Sequence, residues 1–440
     1  MADKQITHPI GLLPSWANDL NLTDPPEAWD GTPTKVEPGA GKRDAGYLPE
    51  ENPTAQHVNQ KFNELGRWIQ YLSTVQPMNW INVGQAPSGS ALQWFTSITY
   101  DEGIAAWVLG GGAGLHTLSR DSATFSATVA SGTAQTADWS ASKRPLDAPV
   151  HGGARSLFGT SADLASPNVS ELSGLITAPA WTNAAVPHGT AQAHTSKGAW
   201  DRINSLWIVA GVEDTGGGAN TVVFWNSATP VVAFAKTTPP NVNSTDVVDM
   251  VHGEDGAGGA LNVAIGNGTA PAIDVWTSTD GVTWGRSTPT GLNAGEDARA
   301  LMWDPLRLVF VLTTQNHVYT STDGIAYTNI SSGTPLLGTF RFRVLTSDGG
   351  GVYIASQEGT VPVLRFSVDG GATWRFLNVP PSETLPWPVH AVAYSRYLKR
   401  FGMTVVDTPG APTGKGNFAV SLAVGDTIFT TLGILTPTVT

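Results

Sequence analysis

Carboxylates set in short, glycine-bearing turns are the first residues of this sequence to weigh for chemistry. Ser278-Thr279-Asp280-Gly281-Val282-Thr283-Trp284, Ser321-Thr322-Asp323-Gly324-Ile325-Ala326-Tyr327 and Ser367-Val368-Asp369-Gly370-Gly371-Ala372-Thr373-Trp374 share one plan. The Asp carboxylate and Ser hydroxyl satisfy backbone N–H groups, Gly takes the left-handed position, and the aromatic residue re-enters the core as the next strand begins. On that logic Asp280, Asp323 and Asp369 hold turns and do no chemistry. Ser119-Arg120-Asp121-Ser122-Ala123-Thr124-Phe125 is a weaker copy.

Other groups are less specific. A glycoside hydrolase needs two carboxyl groups about 5–9.5 Å apart. Glu102, Asp147, Glu213, Asp214, Asp249, Glu254, Asp255, Glu296 and Asp297 each lie in loop-like sequence where a solvated acid is the default, so no catalytic residue is assigned. No His-x-His or His-x-x-x-His pair occurs, and Asp246, Asp249, Glu254 and Asp255 flank a Gly-rich turn without a calcium-loop pattern. Gly110–Gly112 and Gly216–Gly218 lack the Lys-Ser/Thr of a phosphate loop. No metal or cofactor is expected. Of 16 Trp, Trp284 and Trp374 end the turns and Trp107, Trp207 and Trp225 fall inside strand-like runs. Trp139, Trp181, Trp200, Trp303 and Trp387 remain open to stacking on sugars or to packing.

The elements that carry these turns follow from composition. With 49 Gly and 30 Pro in 440 residues and only 14% charged residues, the chain reads as all-β with short strands and tight loops. No cysteine is present, which removes disulfides and thiolate metal sites. A net charge of -12 disfavours capture of nucleic acid, and no apolar run reaches membrane-span length. A soluble product made in a cytoplasm is expected.

Residues 1–50, broken by Pro9, Pro14, Pro25, Pro26, Pro33, Pro38 and Pro49, read as an extended arm with apolar anchors Ile10, Leu12, Leu13, Trp16, Leu20 and Leu22. Over 51–75 an amphipathic helix is expected, capped by Asn52 with Pro53 in its first turn. Val58, Phe62, Leu65, Ile69 and Leu72 form its heptad stripe, for self-association or for docking on the rest of the chain. Gly66 weakens it, so the stripe must pack on something. Residues 76–91 read as a linker, and 92–440 as repeated short strands.

The three turns resemble the Asp-box repeat of sialidase-like β-propellers and related photosystem-assembly and exo-glucanase propellers. Asp280, Asp323 and Asp369 stand 43 and 46 residues apart, a period that suits a four-stranded blade. The resemblance implies a seven-bladed propeller, with six blades as the alternative, in units near 92–130, 131–192, 195–240, 244–292, 296–337, 339–381 and 386–436. The second unit is poor in strand propensity around 141–149 and 161–179. Closure is expected from Gln93–Thr99 pairing with Thr427–Leu432. Sialidases also carry three arginines and an early Arg-Ile-Pro element, and nothing between 92 and 130 matches it.

A second resemblance covers about residues 45–75. Leu48-Pro49-Glu50-Glu51-Asn52-Pro53-Thr54-Ala55-Gln56-His57-Val58-Asn59, leading into Trp68-Ile69-Gln70-Tyr71-Leu72, is similar to the front end of tailed-bacteriophage virion proteins. It implies a structural component of tail, fibre, spike or collar, held to other phage proteins by residues 1–75. A trimer or a ring on a neck or tail is implied, with the propeller facing assembly partners or a host glycan. The alternatives are a carbohydrate-binding propeller outside any virion and a glycoside hydrolase.

Overall fold

Short β-branched and aromatic runs separated by Gly, Asp, Asn and Ser favour strands that end every few residues and turn back. The computed structural model describes residues 80–85, 95–101, 106–111, 115–119, 129–130, 139–142, 156–159, 168–175, 178–189, 193–214, 220–229, 233–239, 244–268, 273–331, 341–349, 351–358, 364–377, 389–395, 398, 400–405 and 417–421. All of them belong to one compact unit, Trp80–Ala423; a second unit comprises Met1–Asn79 and Val424–Thr440. The expected arm, and the expected helix with Val58, Phe62, Leu65, Ile69 and Leu72, lie outside the described residues.

Among the described residues, seven antiparallel sheets of four strands are present. The strand after the arm, β1 (Trp80–Gln85), belongs to the last of them. Sheet I contains β2 (Phe95–Asp101), β3 (Ala106–Gly111), β4 (Leu115–Ser119) and β5 (Val129–Ala130). Sheet II contains β6 (Trp139–Ser142), β7 (Ser156–Gly159), β8 (Asn168–Leu175) and β9 (Ala178–Ala185). Sheet III contains β10 (Ala193–Asp201), β11 (Leu206–Asp214), β12 (Asn220–Ser227) and β13 (Ala235–Thr237). Sheet IV contains β14 (Ser244–Glu254), β15 (Ala260–Gly268), β16 (Ile273–Ser278) and β17 (Gly285–Ser287). Sheet V contains β18 (Ala298–Asp304), β19 (Val309–Thr314), β20 (Val318–Ser321) and β21 (Thr328–Asn329). Sheet VI contains β22 (Arg341–Ser347), β23 (Tyr353–Glu358), β24 (Leu364–Ser367) and β25 (Arg375–Leu377). Sheet VII contains β26 (Val389–Ser395), β27 (Arg400–Val405) and β28 (Asn417–Ser421), with β1 as its fourth strand.

Within sheets I to VI the strands lie in chain order, sheet VII runs β26-β27-β28-β1, and the first strands touch in the cycle β2, β6, β10, β14, β18, β22, β26 and back to β2. Six of these seven carry a β-bulge, at Phe95/Ser97, Thr195/Lys197, Val247/Asp249, Ala298/Ala300, Phe342/Val344 and Val389/Ala391. A bulge adds local twist, which suits strands gathered around a common axis. The core lies between sheets: Ile98, Tyr100, Trp107 and Leu109 of sheet I pack with Ala391, Ala393 and Leu398 of sheet VII.

Consecutive antiparallel strands divide the connections between two ends. First-to-second and third-to-fourth turns share one end, the turn end; the remaining connections share the other, the far end. Asn204, in the β10–β11 turn, donates to the Thr279 carbonyl in the β16–β17 turn at 2.9 Å, a direct contact at the turn end. At the far end, Asn267 exchanges two hydrogen bonds with the Ala298 backbone, at 2.8 and 3.2 Å.

Three expectations need correction. Closure uses β1 against β28, with Trp80 opposite Ser421, instead of Gln93–Thr99 against Thr427–Leu432. Phe95–Asp101 is the first strand of sheet I, so most of the segment expected to close the ring is already paired with β3. The stretch read as a linker, 76–91, therefore contains a strand. Sheet II supplies two eight-residue strands, Asn168–Leu175 and Ala178–Ala185, where propensity was low, because cross-strand pairing along the whole hairpin outweighs the preferences of single residues.

Two outcomes follow. A fragment of residues 80–423 should unfold in one cooperative β-rich transition, and a fragment starting at residue 87, which lacks β1, should melt lower because sheet VII ends on an unpaired strand. Equal melting would contradict closure by β1. Leu308 and Ser205 hold positive φ, 55° in both, at matching turn positions. Replacing Ser205 by Gly should raise stability by up to about 1 kcal/mol, and a lower melting temperature would contradict it.

Candidate functional site

Each Ser-x-Asp-Gly turn is closed by its own side chains. Ser278 Oγ donates to Asp280 Oδ1 at 3.0 Å, and that carboxylate accepts the N–H groups of Val282 at 2.8 Å and Thr283 at 2.6 Å. Ser321 and Asp323 repeat the scheme toward Ile325 and Ala326, both at 2.8 Å. Ser367 Oγ donates to Asp369 Oδ1 at 2.7 Å and accepts from Gly371 N–H at 2.8 Å, while Asp369 takes Thr373 N–H at 2.9 Å. Partial burial alone would raise the three carboxyls; the N–H groups and hydroxyls aimed at them outweigh it and hold each below the ordinary aspartate range. The carboxylates face solvent.

The glycine of each turn presses on the preceding sheet. Gly324 has φ +72°, and a Cβ there would stand 2.6 Å from Cγ2 of fully buried Val263 in sheet IV. Gly281 and Gly370 have φ +70° and +77°; a Cβ at Gly281 would meet Ile208 of sheet III at 3.0 Å, and one at Gly370 would meet Arg307 of sheet V at 2.1 Å. The closing aromatics point the same way. Trp284 stacks on Phe224 of sheet III, centroids 3.8 Å apart and rings 5° from parallel. Tyr327 is buried among Leu261, Val263 and Ile265 of sheet IV, and Trp374 packs against the cluster of Val311 and Tyr353 that joins sheets V and VI. Burial and the neighbouring Asp323 charge push the Tyr327 phenol well up, so it stays protonated.

The other half of this seam carries no glycine signal and was not read from the sequence. Asp201 and Asp304, both fully buried, end the first strands of sheets III and V. Asp201 accepts from the N–H groups of Ile203 and Asn204 and from the Asn262 amide of sheet IV at 2.7 Å. Asp304 accepts from Leu306 N–H at 2.9 Å, from Arg307 at 3.2 Å, and from the Tyr353 hydroxyl of sheet VI. The available signal is an aromatic pair seven residues apart with an acceptor after its first member. It occurs in Tyr100-Asp101 to Trp107, Trp200-Asp201 to Trp207, Trp303-Asp304 to Phe310, and Tyr394-Ser395 to Phe401. Each pair is directly opposed across strands, with centroids 5.0, 5.2, 4.7 and 4.7 Å apart. Trp200 and Trp303, open to sugar stacking by sequence, are thus packing residues; the side chains of Trp139, Trp181 and Trp387 lie outside the described set.

At the far end the carboxylates are gathered into pairs. Buried Glu296 accepts from the Tyr319 hydroxyl at 3.0 Å, pairs with His317, takes the Thr314 hydroxyl, and faces the Asn293 amide at 3.4 Å. A Tyr–Glu pair resembles a nucleophile and its base, yet burial together with the Glu296 charge pushes Tyr319 up to about 12 despite the N–H of Asn293. A nucleophile near neutral pH would need the opposite shift. Burial alone would raise Glu213; Lys236 and the Gly189 N–H outweigh it and hold it low. Asp249 accepts from Leu301 N–H at 2.9 Å and faces Lys197 at 3.6 Å, and His194 lies 3.6 Å from Asp246. Glu254 pairs with Arg202 at the turn end, and Asp255 binds its own turn through Ala257 and Gly259. Asp297 faces Arg299 at 3.4 Å. Glu102 and Asp147 lie outside the described residues. Among the described residues no group of three or more His, Asp or Glu side chains is placed to hold a metal.

Among solved structures, the chain is similar to the GH74 xyloglucanase from Xanthomonas campestris, with 15% identity and a TM-score of 0.51 over 75% of this chain and 52% of that one. It thus spans about half of that enzyme. It is also similar to the β-propeller domain of Myceliophteria thermophila Cps50 (Swd1), with 10% identity and a TM-score of 0.50 over 76% of this chain and 98% of that one. These likenesses speak for a β-propeller fold and for nothing about activity. YCF48 from Cyanidioschyzon merolae is similar over 78% of this chain and 98% of that one, with 13% identity and a TM-score of 0.49. No protein-family model matches the chain, and no curated protein matches it.

Because the Asp369 carboxylate and its N–H partners face water, Asp369→Ala should cost about 1 kcal/mol, as loss of a helix cap does. The folded-state pKa is depressed, so this contribution is present above the ordinary aspartate value of about 3.9 and is lost as pH falls through the folded value. The gap in stability between wild type and variant should therefore be full at pH 6 and close below about pH 4. A gap unchanged at pH 3 would contradict it. Gly324→Ala should cost more than Gly370→Ala, about 2–4 against about 1–2 kcal/mol, because Val263 cannot withdraw whereas the Arg307 tip can.

Proposed function

We propose that this chain is a structural component of a bacteriophage virion, tail-associated, built as a closed seven-bladed propeller whose Asp-box turns knit blade to blade. Residues 1–75 fasten it to other phage proteins, and the stripe Val58, Phe62, Leu65, Ile69 and Leu72 joins copies into a homo-oligomer, a trimer or a ring on a neck or tail. The far end is presented for assembly or for contact with a host glycan.

The observation that carries this reading is the pairing of Trp80 with Ser421 at the turn end. β1 begins and β28 ends side by side there, which supports reading that end as the attached one. The virion assignment itself rests on the sequence resemblance over about residues 45–75. Commitment of Asp280, Asp323 and Asp369 to turn bonds favours an architectural role for those residues.

The second reading is a glycoside hydrolase, favoured by the likeness in fold to a GH74 xyloglucanase. It requires a carboxyl pair spaced to flank a glycosidic bond. Deleting residues 1–75 should abolish incorporation into particles, read by mass spectrometry of purified virions, while circular dichroism of the shortened chain stays β-rich. Incorporation at the wild-type level would overturn the proposal. On a glycan array, binding without release of reducing sugar fits a presented surface; release of reducing sugar would favour the hydrolase.

A further inference from the structure

We propose that the crossover from sheet II to sheet III is an acid-released strap, with Glu213 as its latch. The strap is Val186-Pro187-His188-Gly189, which follows β9 and belongs to no ladder. It is tied to sheet III by Trp225, whose Nε1 donates to the Pro187 carbonyl at 2.7 Å, and by Glu213, whose Oε1 accepts the Gly189 N–H. Val186 is buried with Trp207, Val223 and Trp225, so the strap closes over apolar side chains of sheet III.

Glu213 is buried, with 7% of its side chain exposed, and both of its oxygens face donors. Oε1 takes the Gly189 N–H of the strap and Oε2 takes the Lys236 ammonium of β13, so one carboxylate joins the second strand, the fourth strand and the crossover. Neither donor can accept a proton. Protonation would therefore set an O–H against an N–H at one oxygen and remove the charge that strengthens both bonds. The charged groups around it are Lys236 on β13, His188 on the strap, Asp214 beside it on β11, and His194 on β10, opposite Val212. From β12, Thr221 lies opposite Glu213, and residues 190–192, 215–219 and 230–232 contain no charged residue.

Two features make this seam the one to open. The third-to-fourth turns of sheets IV, V and VI each press a glycine on the sheet before, whereas sheet III turns through Ala228-Thr229-Pro230-Val231-Val232-Ala233-Phe234, without Ser-x-Asp-Gly. A segment outside any ladder also has little protection of its own, so loss of one tie frees it while the sheets stay paired. Burial alone would raise the Glu213 carboxyl, but Lys236 and the Gly189 N–H outweigh it and hold it below its ordinary value. The tie is accordingly intact above the ordinary glutamate value of about 4.3 and lost as pH falls through the lower folded value, which opens the strap below about pH 4.

Hydrogen exchange of the full chain, read by mass spectrometry and normalised to the unstructured rate at each pH, tests this. Protection in the peptide carrying Gly189 should fall at least about tenfold between pH 7 and pH 3, while peptides carrying Val209 of β11 and Val223 of β12 stay protected. Glu213→Gln, which cannot accept from both donors, should show at pH 7 the low Gly189 protection of wild type at pH 3. Lys236→Met should move the opening to higher pH, and Lys197→Met, which removes the cation facing Asp249 instead, should leave it in place. The lysine pair gives a reading even where Glu213→Gln does not fold. Gly189 protection that is unchanged at pH 3, that is lost only together with Val209 and Val223, or whose loss is unmoved by Lys236→Met would overturn the inference.

Discussion

Close approach of one turn glycine to the sheet before it is the constraint on which the rest of this structure depends. Gly324 needs a positive φ to close its own turn, and it also lies where any side chain would collide with Val263. A residue that satisfies both demands at once couples the local turn to packing between sheets. The same coupling recurs at Gly281 and Gly370, and the aromatic that follows each glycine fills the space the close approach creates. Repetition of one short sequence therefore repeats one contact across three consecutive seams, III–IV, IV–V and V–VI.

The complementary half of each seam is the buried carboxylate at the end of a first strand. Asp201 and Asp304 are placed beyond the reach of water, yet each is met by backbone N–H groups and by donors from the next sheet, so burial is compensated. The glycine turns face outward and are screened; these aspartates are not. Sensitivity of the ring to single substitutions should accordingly concentrate in the first strands and their turns, away from the carboxylates that the motif makes conspicuous.

How much of this was legible in the sequence divides along the same line. The all-β propeller fold could be read because Ser-x-Asp-Gly and a terminal aromatic form a local code repeated at the length of one four-stranded unit. The role of Asp201 and Asp304 could not, since their turns place Ser205 and Leu308 at the positive-φ position that glycine usually marks. Closure was misassigned because strand propensity names no partner: Trp80–Gln85 contains Gly84 and sits among Gly, Pro and Ser, and only its ladder to Asn417–Ser421 identifies it as a strand. Sheet II was understated for the same reason. Of the candidate site, the three turns were visible as turns, but their grip on the neighbouring sheet is a nonlocal fact, and the paired state of Glu213, Asp249 and Glu296 depends on residues 20 or more positions away.

The division between ends then bears on use. Trp80 and Ser421, where the described sheets meet the terminal segments of the chain, lie at the turn end, and the pairs Glu213–Lys236 and Glu296–His317 lie at the far end. An attached end and a presented end is the arrangement we draw from it. A density map of the source particle at a resolution that separates the sheets tests that arrangement most directly. The account predicts the Trp80 and Ser421 end turned toward the particle body, with Glu296 and His317 facing outward; the reverse orientation, or no density for the chain in the particle, would contradict it.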